Sequence, residues 1–311
     1  MAEDSYARPS GVLENKLNLD RPDRLAEAEA GYTQSRIKEL NERSPIQGNF
    51  DREHLKAIHG YIFQDIYPWS GRMRDEKFTI DGKDYDRIEI SKGGTQFIPQ
   101  AYIQNGLNEA FKPIQDRGTL ASANDRVFAN QAGRAMSDLN YVHPFREGNG
   151  RTQRAFIEQL GRETGHSVDL SIISRARMTE ASIEATKDPA SPALPDMIYD
   201  ATNLGRAQSI RVTNEALRDA GADPDEFVVK VAEVGKRYEG TVLSHDERTA
   251  ALITNGQIVT IDTADMKTLI PNSEVTVDVT RDVGRSYTPE RDRERAKERE
   301  QSASRDAGAE R

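Results

Sequence analysis

His143-Pro144-Phe145-Arg146-Glu147-Gly148-Asn149-Gly150-Arg151-Thr152-Gln153-Arg154 packs a histidine, a carboxylate, two glycines and three arginines into one short run. It lies between two segments of helical apolar spacing, 124–141 and 151–164, so it reads as a tight loop feeding a helix N-terminus. Gly148 and Gly150 lack a Cβ, which lets the backbone turn sharply and offer N–H groups to an anion. The following helix adds the positive end of its dipole at the same point. Asn149 can bond a phosphate oxygen or hold the loop in a left-handed turn. Arg151 and Arg154 are three apart and share a helix face, and guanidinium groups suit phosphate. Glu147 would repel phosphate unless a cation bridged them, and a hard Mg²⁺ shared between carboxylate and phosphates answers that need. His143 is the group able to deprotonate a nucleophile near neutral pH. Phe145, apolar in a polar loop, is expected to plug into the core.

Each part has an ordinary explanation: a capped loop histidine, a glycine turn, arginines facing water. Their coincidence in one segment points to metal-assisted phosphate chemistry. The run also resembles the signature of Fic-domain proteins, H-x-F-x-[DE]-G-N-G-R-x-x-R, at every fixed position. That resemblance implies a mainly α fold, a helical bundle with a β-hairpin flap, and AMP transfer from Mg–ATP to a Ser, Thr or Tyr hydroxyl of a target protein. It implies His143 as the base and Glu147 as the Mg²⁺ ligand. It further implies Gly148, Asn149, Gly150 and Arg151 as the anion nest, with Arg154 on the γ-phosphate. The Gly-Asn-Gly core corresponds to the AMP-transferring version of the motif. A rival from another class is a catalytically idle adaptor, but such a protein could lose His143 or Arg154, and both are present.

The chain has 311 residues, 36% hydrophobic, with a formal net charge of −9 and no cysteine. That length accommodates two modest domains and a tail. The absence of cysteine excludes disulfides and thiolate metal sites and fits a reducing cytoplasm, the expected localisation, with delivery into a recipient cell as a variant of it. His54 and His59 do not share a helix face well, so a transition-metal centre is not expected. The charge argues against nucleic acid as a partner, and no apolar run suggests a membrane.

Outward from the motif, helical spacing covers 21–43, with Leu25, Ala28, Tyr32 and Leu40, and 51–66, with Leu55, Ile58, Ile62 and Ile66 and Asp51 as cap. Trp69-Ser70-Gly71-Arg72 also resembles the family, where it leads into a hairpin; Trp69 reads as core. Extended segments 78–80 and 85–90 with glycine turns mark a candidate flap over about 74–98. In the Fic fold that flap grips the target's hydroxyl-bearing segment by strand addition. Further helices are expected over 102–116, 124–141, 151–164 with Gly165 as its stop, 171–185, 195–204 and a linking 206–220.

Beyond residue 224 the period changes to that of strands at 227–231, 238–243, 250–254, 257–262 and 275–280, with Asn255-Gly256 as a hairpin turn. These suggest a small β-barrel resembling the OB-like module that follows Fic domains in type IV secretion effectors, read here as a packing domain. The expected domains are 1–205 (Fic with an N-terminal arm), 206–224 (helical linker), 225–284 (OB-like) and 285–311 (charged mobile tail). Ser10-Gly11-Val12-Leu13-Glu14-Asn15 formally matches the inhibitory motif of self-silenced relatives. Pro9 and Gly11 suit no helix, and Gly-Val-Leu-x-Asn-Lys-Leu resembles the arm of members silenced by a separate small antitoxin. No strong intramolecular brake is expected.

Overall fold

The computed structural model describes residues 4–43, 46–92 and 94–287. Two compact units divide them: residues up to His166 with Ser182–Asp196, and Ser167–Ala181 with the chain from Met197 onward.

In the first unit, α1 (Pro22–Arg43) opens with proline at its first position, where the missing N–H costs nothing. Its buried column is Leu25, Thr33 and Leu40 rather than the predicted line through Tyr32, which is 46% exposed. The column mixes apolar and polar residues because its middle faces the functional site. α2 (Arg52–Phe63) is capped by Asp51, which accepts the His54 N–H at 2.9 Å. Leu55, Ile58 and Ile62 form the expected core stripe. The helix stops at Phe63 because the Ile66 and Tyr67 N–H groups both turn back to the Phe63 carbonyl ahead of Pro68. Trp69 is buried against Tyr67 and Tyr6, as expected of a core residue.

The candidate flap is two short hairpins. β1 (Phe78–Ile80) pairs with β2 (Lys83–Tyr85) across Asp81-Gly82, both at positive φ, and β3 (Ser91–Lys92) pairs with β4 (Thr95–Gln96). The strand expected over 85–90 does not form beyond Tyr85. Its ring stacks on Phe78 and meets Tyr6, and the Ile88 N–H goes to the Arg74 carbonyl instead of a ladder partner. α3 (Ile103–Phe111) is shorter than the expected 102–116 because Pro113 sits in a 3₁₀ turn over Lys112–Ile114. α4 (Arg117–Ser122) is capped by Asp116, and α5 (Asp125–Val142) by Asn124. α6 (Asn149–Thr164) packs on α2 and α5 with Phe156, Ile157 and Leu160 fully buried, and ends on Gly165 at φ 81°.

α7 (Arg175–Lys187) and α8 (Ala193–Thr202) carry residues of both units, and α9 (Leu204–Asp219) lies in the second. The second unit is built on β5 (Val229–Val231), β6 (Arg237–His245), β7 (Thr249–Thr254), β8 (Gln257–Asp262) and β9 (Glu274–Asp278). They form one sheet in the order β5-β8-β7-β6-β9, all antiparallel except β5–β8. Val242, Leu252, Val259, Ile261 and Val277 fill its core. The predicted barrel is not closed among the described residues: β5 and β9 each have a single neighbour. The physical reason is that α9 covers part of the sheet, which buries β7 and β8 on both faces. The expected tail from Arg285 begins inside a 3₁₀ helix, Val283–Tyr287, whose Tyr287 hydroxyl bonds Thr249 at 2.6 Å. Residues 288–311 lie outside the described ones.

Candidate active site

α5 ends where Pro144 forbids another turn, and His143 takes the C-cap position in the left-handed region, φ 47° and ψ 62°. A β-carbon there costs about 1–2 kcal/mol, so the surroundings must hold it. Three contacts do so. The His143 N–H donates to Leu139 O at 2.9 Å, the imidazole stacks on Phe97 at 3.7 Å, and Nδ1 lies 3.3 Å from Asn140 O. A carbonyl can only accept, so Nδ1 carries the hydrogen and Nε2 is the basic nitrogen.

The loop that follows is pinned from beneath. Phe145 is 1% exposed and stacks on the His59 imidazole at 3.9 Å. The Asn149 side chain closes the loop on itself, accepting the Phe145 N–H at 2.9 Å and donating to Phe145 O at 2.8 Å. Those bonds engage the amide oxygen and one of the two amide N–H groups, so Asn149 braces the loop with its side chain. Its backbone N–H stands in the first turn of α6. The left-handed residue is Gly148, at φ 85°, and a Cβ there would lie 2.2 Å from the Phe63 ring. Gly150 is helical, so α6 begins two residues before the predicted Arg151. A Cβ on Gly150 would meet nothing within 4 Å. Its bareness leaves the space before the first-turn N–H groups open, a cradle suited to an anion.

Glu147 and Arg151 flank that cradle. The Glu147 carboxylate accepts the Gly148 N–H at 2.9 Å and lies 3.6 Å from the Arg151 guanidinium. Arg151 also pairs with Glu29 of α1, donates to Thr33 Oγ1 at 3.2 Å, and lies over the Phe63 ring. Arg154 is half-buried one turn on, on the same side of α6. The structure therefore brings His143, Glu147, Gly148, Asn149, Gly150, Arg151 and Arg154 to one loop and one helix end. Arg146 pairs with Asp4 at 2.7 Å.

Sequence reasoning passed over three supporting residues. Glu29 lay in a helix read for its apolar positions alone. His59 was weighed only as a metal ligand. It accepts the Gly71 N–H at Nδ1, 2.8 Å, and its Nε2–H donates to the Glu147 carbonyl at 3.1 Å. Burial pushes its pKa down to about 3, against the Glu147 carbonyl, which favours the cation. Arg74, fully buried, donates to the carbonyls of Val142 and His143. Only a lone arginine two residues past Trp-Ser-Gly-Arg could have signalled it. Glu14 is not on a helix: its carboxylate pairs with Arg8 at 3.0 Å and Lys83 at 2.7 Å.

Among the described residues no group of three or more His, Cys, Asp or Glu is disposed to hold a metal ion, and no helix is long and apolar enough to cross a membrane.

A model of the Fic/DOC family matches residues 49–160. The protein adenylyltransferase VbhT of Bartonella schoenbuchensis is 35% identical over 185 residues, which cover 59% of this chain and 36% of that protein. The probable protein adenylyltransferase y4lH of Sinorhizobium fredii is 32% identical over 192 residues, 61% of this chain and 92% of the relative. The chain belongs to the Fic/DOC family. Among solved structures, the type IV secretion system effector protein BepA superposes with a TM-score of 0.80 at 26% identity, over 89% of this chain and 96% of that one. The Fic relatives differ in length, and this chain spans little more than a third of VbhT.

Proposed function

We propose that this Fic protein is a protein adenylyltransferase that moves AMP from Mg–ATP to a Ser, Thr or Tyr hydroxyl of a target protein and releases pyrophosphate. The observation that carries the reading is that His143 and the N-terminus of α6 stand at the two ends of one short loop braced by Phe145 and Asn149. His143 takes the proton as the target's hydroxyl oxygen forms its bond to the α-phosphorus. The bond from that phosphorus to the bridging oxygen breaks, and pyrophosphate leaves with the electron pair. The first-turn N–H groups of α6 and Arg151 hold the inner phosphates, and Arg154 takes the γ-phosphate.

Glu147 fits the role of Mg²⁺ ligand: it is a single, partly exposed carboxylate beside an anion cradle, and a cation that keeps its waters and binds phosphates needs little more from the protein. When bound, the ion neutralises phosphate charge. The target's segment docks along the hairpins of 74–98, where exposed backbone groups grip without regard to sequence. The names of the relatives support transfer of AMP, and the effector name of BepA supports delivery into another cell. A separate small inhibitor protein belongs to the proposal through the resemblance of the N-terminal arm alone.

His143→Ala tests the base. Nothing in the cradle depends on imidazole, so the variant should fold and bind ATP while label transfer drops by about 10²–10⁴-fold. Undiminished transfer by the folded variant overturns the assignment.

A further inference from the structure

Arg74 is an arginine with 0% exposure, and a buried guanidinium is costly to desolvate unless its hydrogen bonds are met. Here all of its N–H groups point at oxygen. Nε donates to His143 O at 2.8 Å; one terminal nitrogen donates to Val142 O at 3.0 Å and to Ile98 O; the other reaches Ile88 O at 3.3 Å and the Glu89 carboxylate at 3.4 Å. Its backbone joins in, with its N–H donating to Pro144 O at 2.8 Å and its carbonyl accepting the Ile88 N–H at 3.0 Å.

These oxygens come from two segments only. One, 142–144, carries His143. The other, 88–98, carries the β3–β4 hairpin. Phe97, next to Ile98, adds its ring to the imidazole from the same segment. A residue that merely filled this volume could be Leu or Met and avoid the desolvation. The oxygens gathered here are those that separate secondary-structure elements leave unpaired.

We propose that Arg74 is a positioning residue that locks the β3–β4 hairpin and the His143 loop into one frame, so that a hydroxyl presented on the hairpin arrives in reach of the imidazole. The inference rests on the adenylyl-transfer reading for what the frame is for, but the frame itself can be measured without any transfer. Arg74 does not touch the cradle at α6, so its loss should misalign acceptor and base while leaving the nucleotide held.

The test uses the full chain with Arg74→Lys, which keeps the charge but cannot reach both segments. Amide exchange over 86–98 and over 142–148 should speed up together, by at least about fivefold, with α9 unchanged. Affinity for a non-hydrolysable ATP analogue should stay within about threefold. Transfer from α-labelled ATP to lysate proteins should fall by at least about tenfold. Transfer equal to wild type, faster exchange in only one of the two segments, or a loss explained by analogue affinity overturns the proposal. If wild type itself transfers no label, the functional reading fails, and the exchange measurement alone decides Arg74. Should the lysine variant not fold, Glu89→Ala removes one acceptor of Arg74 at a side chain 58% exposed, together with its bond from the Gln100 N–H. A smaller but still parallel rise in both segments supports the frame, and a rise confined to the hairpin refutes it.

Discussion

His59 shows how a residue remote from the chemistry shapes it. Its ring lies under Phe145, its two nitrogens are committed to Gly71 and Glu147, and so it must be neutral in the folded chain. The unfolded chain binds a proton on this histidine below its ordinary value of about 6.5, whereas the native one resists until about 3. Its contribution to stability is thus complete above pH 6.5 and is lost as pH falls. At pH 5 the loss amounts to roughly 2 kcal/mol, at 1.36 kcal/mol per pH unit. Urea unfolding at pH 7 and pH 5 should show that drop in wild type and a correspondingly smaller one in His59→Gln; equal drops would contradict the assignment. At this scale the motif stands out in the sequence, because its residue types are chemically rare in combination. The closure of the loop by the Asn149 side chain does not, since only geometry shows that Phe145 meets both its amide oxygen and its nitrogen.

Elements were legible where one face is uniformly apolar, and less so where a helix serves the site. α2 and α6 carry clean stripes and lie within the expected segments but for their ends, α2 stopping three residues early and α6 starting two residues early. α1 places Thr33 in its buried column and Glu29 one turn before it to meet Arg151, so a search for apolar spacing settled on Tyr32 instead. The flap split into two hairpins because Ile88 spends its backbone on Arg74 and the Asp86 N–H goes to Ser5 Oγ, a long-range debt no local pattern reveals. The N-terminal arm belongs to this scale too. Tyr6 is buried between Trp69 and Tyr85, and the Lys83 bond and then Arg8 hold the Glu14 carboxyl below the ordinary range. Those pairs tie the arm to β2. Glu14→Gly should therefore leave automodification and ATP affinity nearly unchanged and cost less than about 1 kcal/mol, as for other partly exposed ion pairs. Comparison of the two proteins prepared without any partner decides it, and a large rise in automodification would make the arm inhibitory.

At the scale of the whole molecule, the second unit depends on a polar knot as well as a sheet. Asp200, 1% exposed, pairs with Arg177 at 2.6 Å and Arg206 at 2.7 Å, and Arg206 reaches on to Asp282 at 2.9 Å. Burial pushes the Asp200 carboxyl up, but the two guanidinium groups outweigh it and hold it below the ordinary range. Asp200→Ala strands buried charge and should cost about 3–5 kcal/mol in thermal unfolding; a loss below about 1 kcal/mol would show the knot to be incidental. Strand periods located five strands from sequence, yet the parallel β5–β8 pair and the cover by α9 were invisible there, because period reports which residues alternate and not which strand lies beside which. Both units are of one chain whose chemistry is claimed for the first, and that claim has a direct test. Wild type is incubated with ATP labelled in either the α- or the γ-phosphate, and the label on protein is counted. If His143 serves an acceptor at the α-phosphorus while Arg154 holds the far end of the nucleotide, the α-label appears on protein and the γ-label leaves with pyrophosphate. Label from the γ-phosphate on protein would contradict the account and make this chain a phosphoryl transferase.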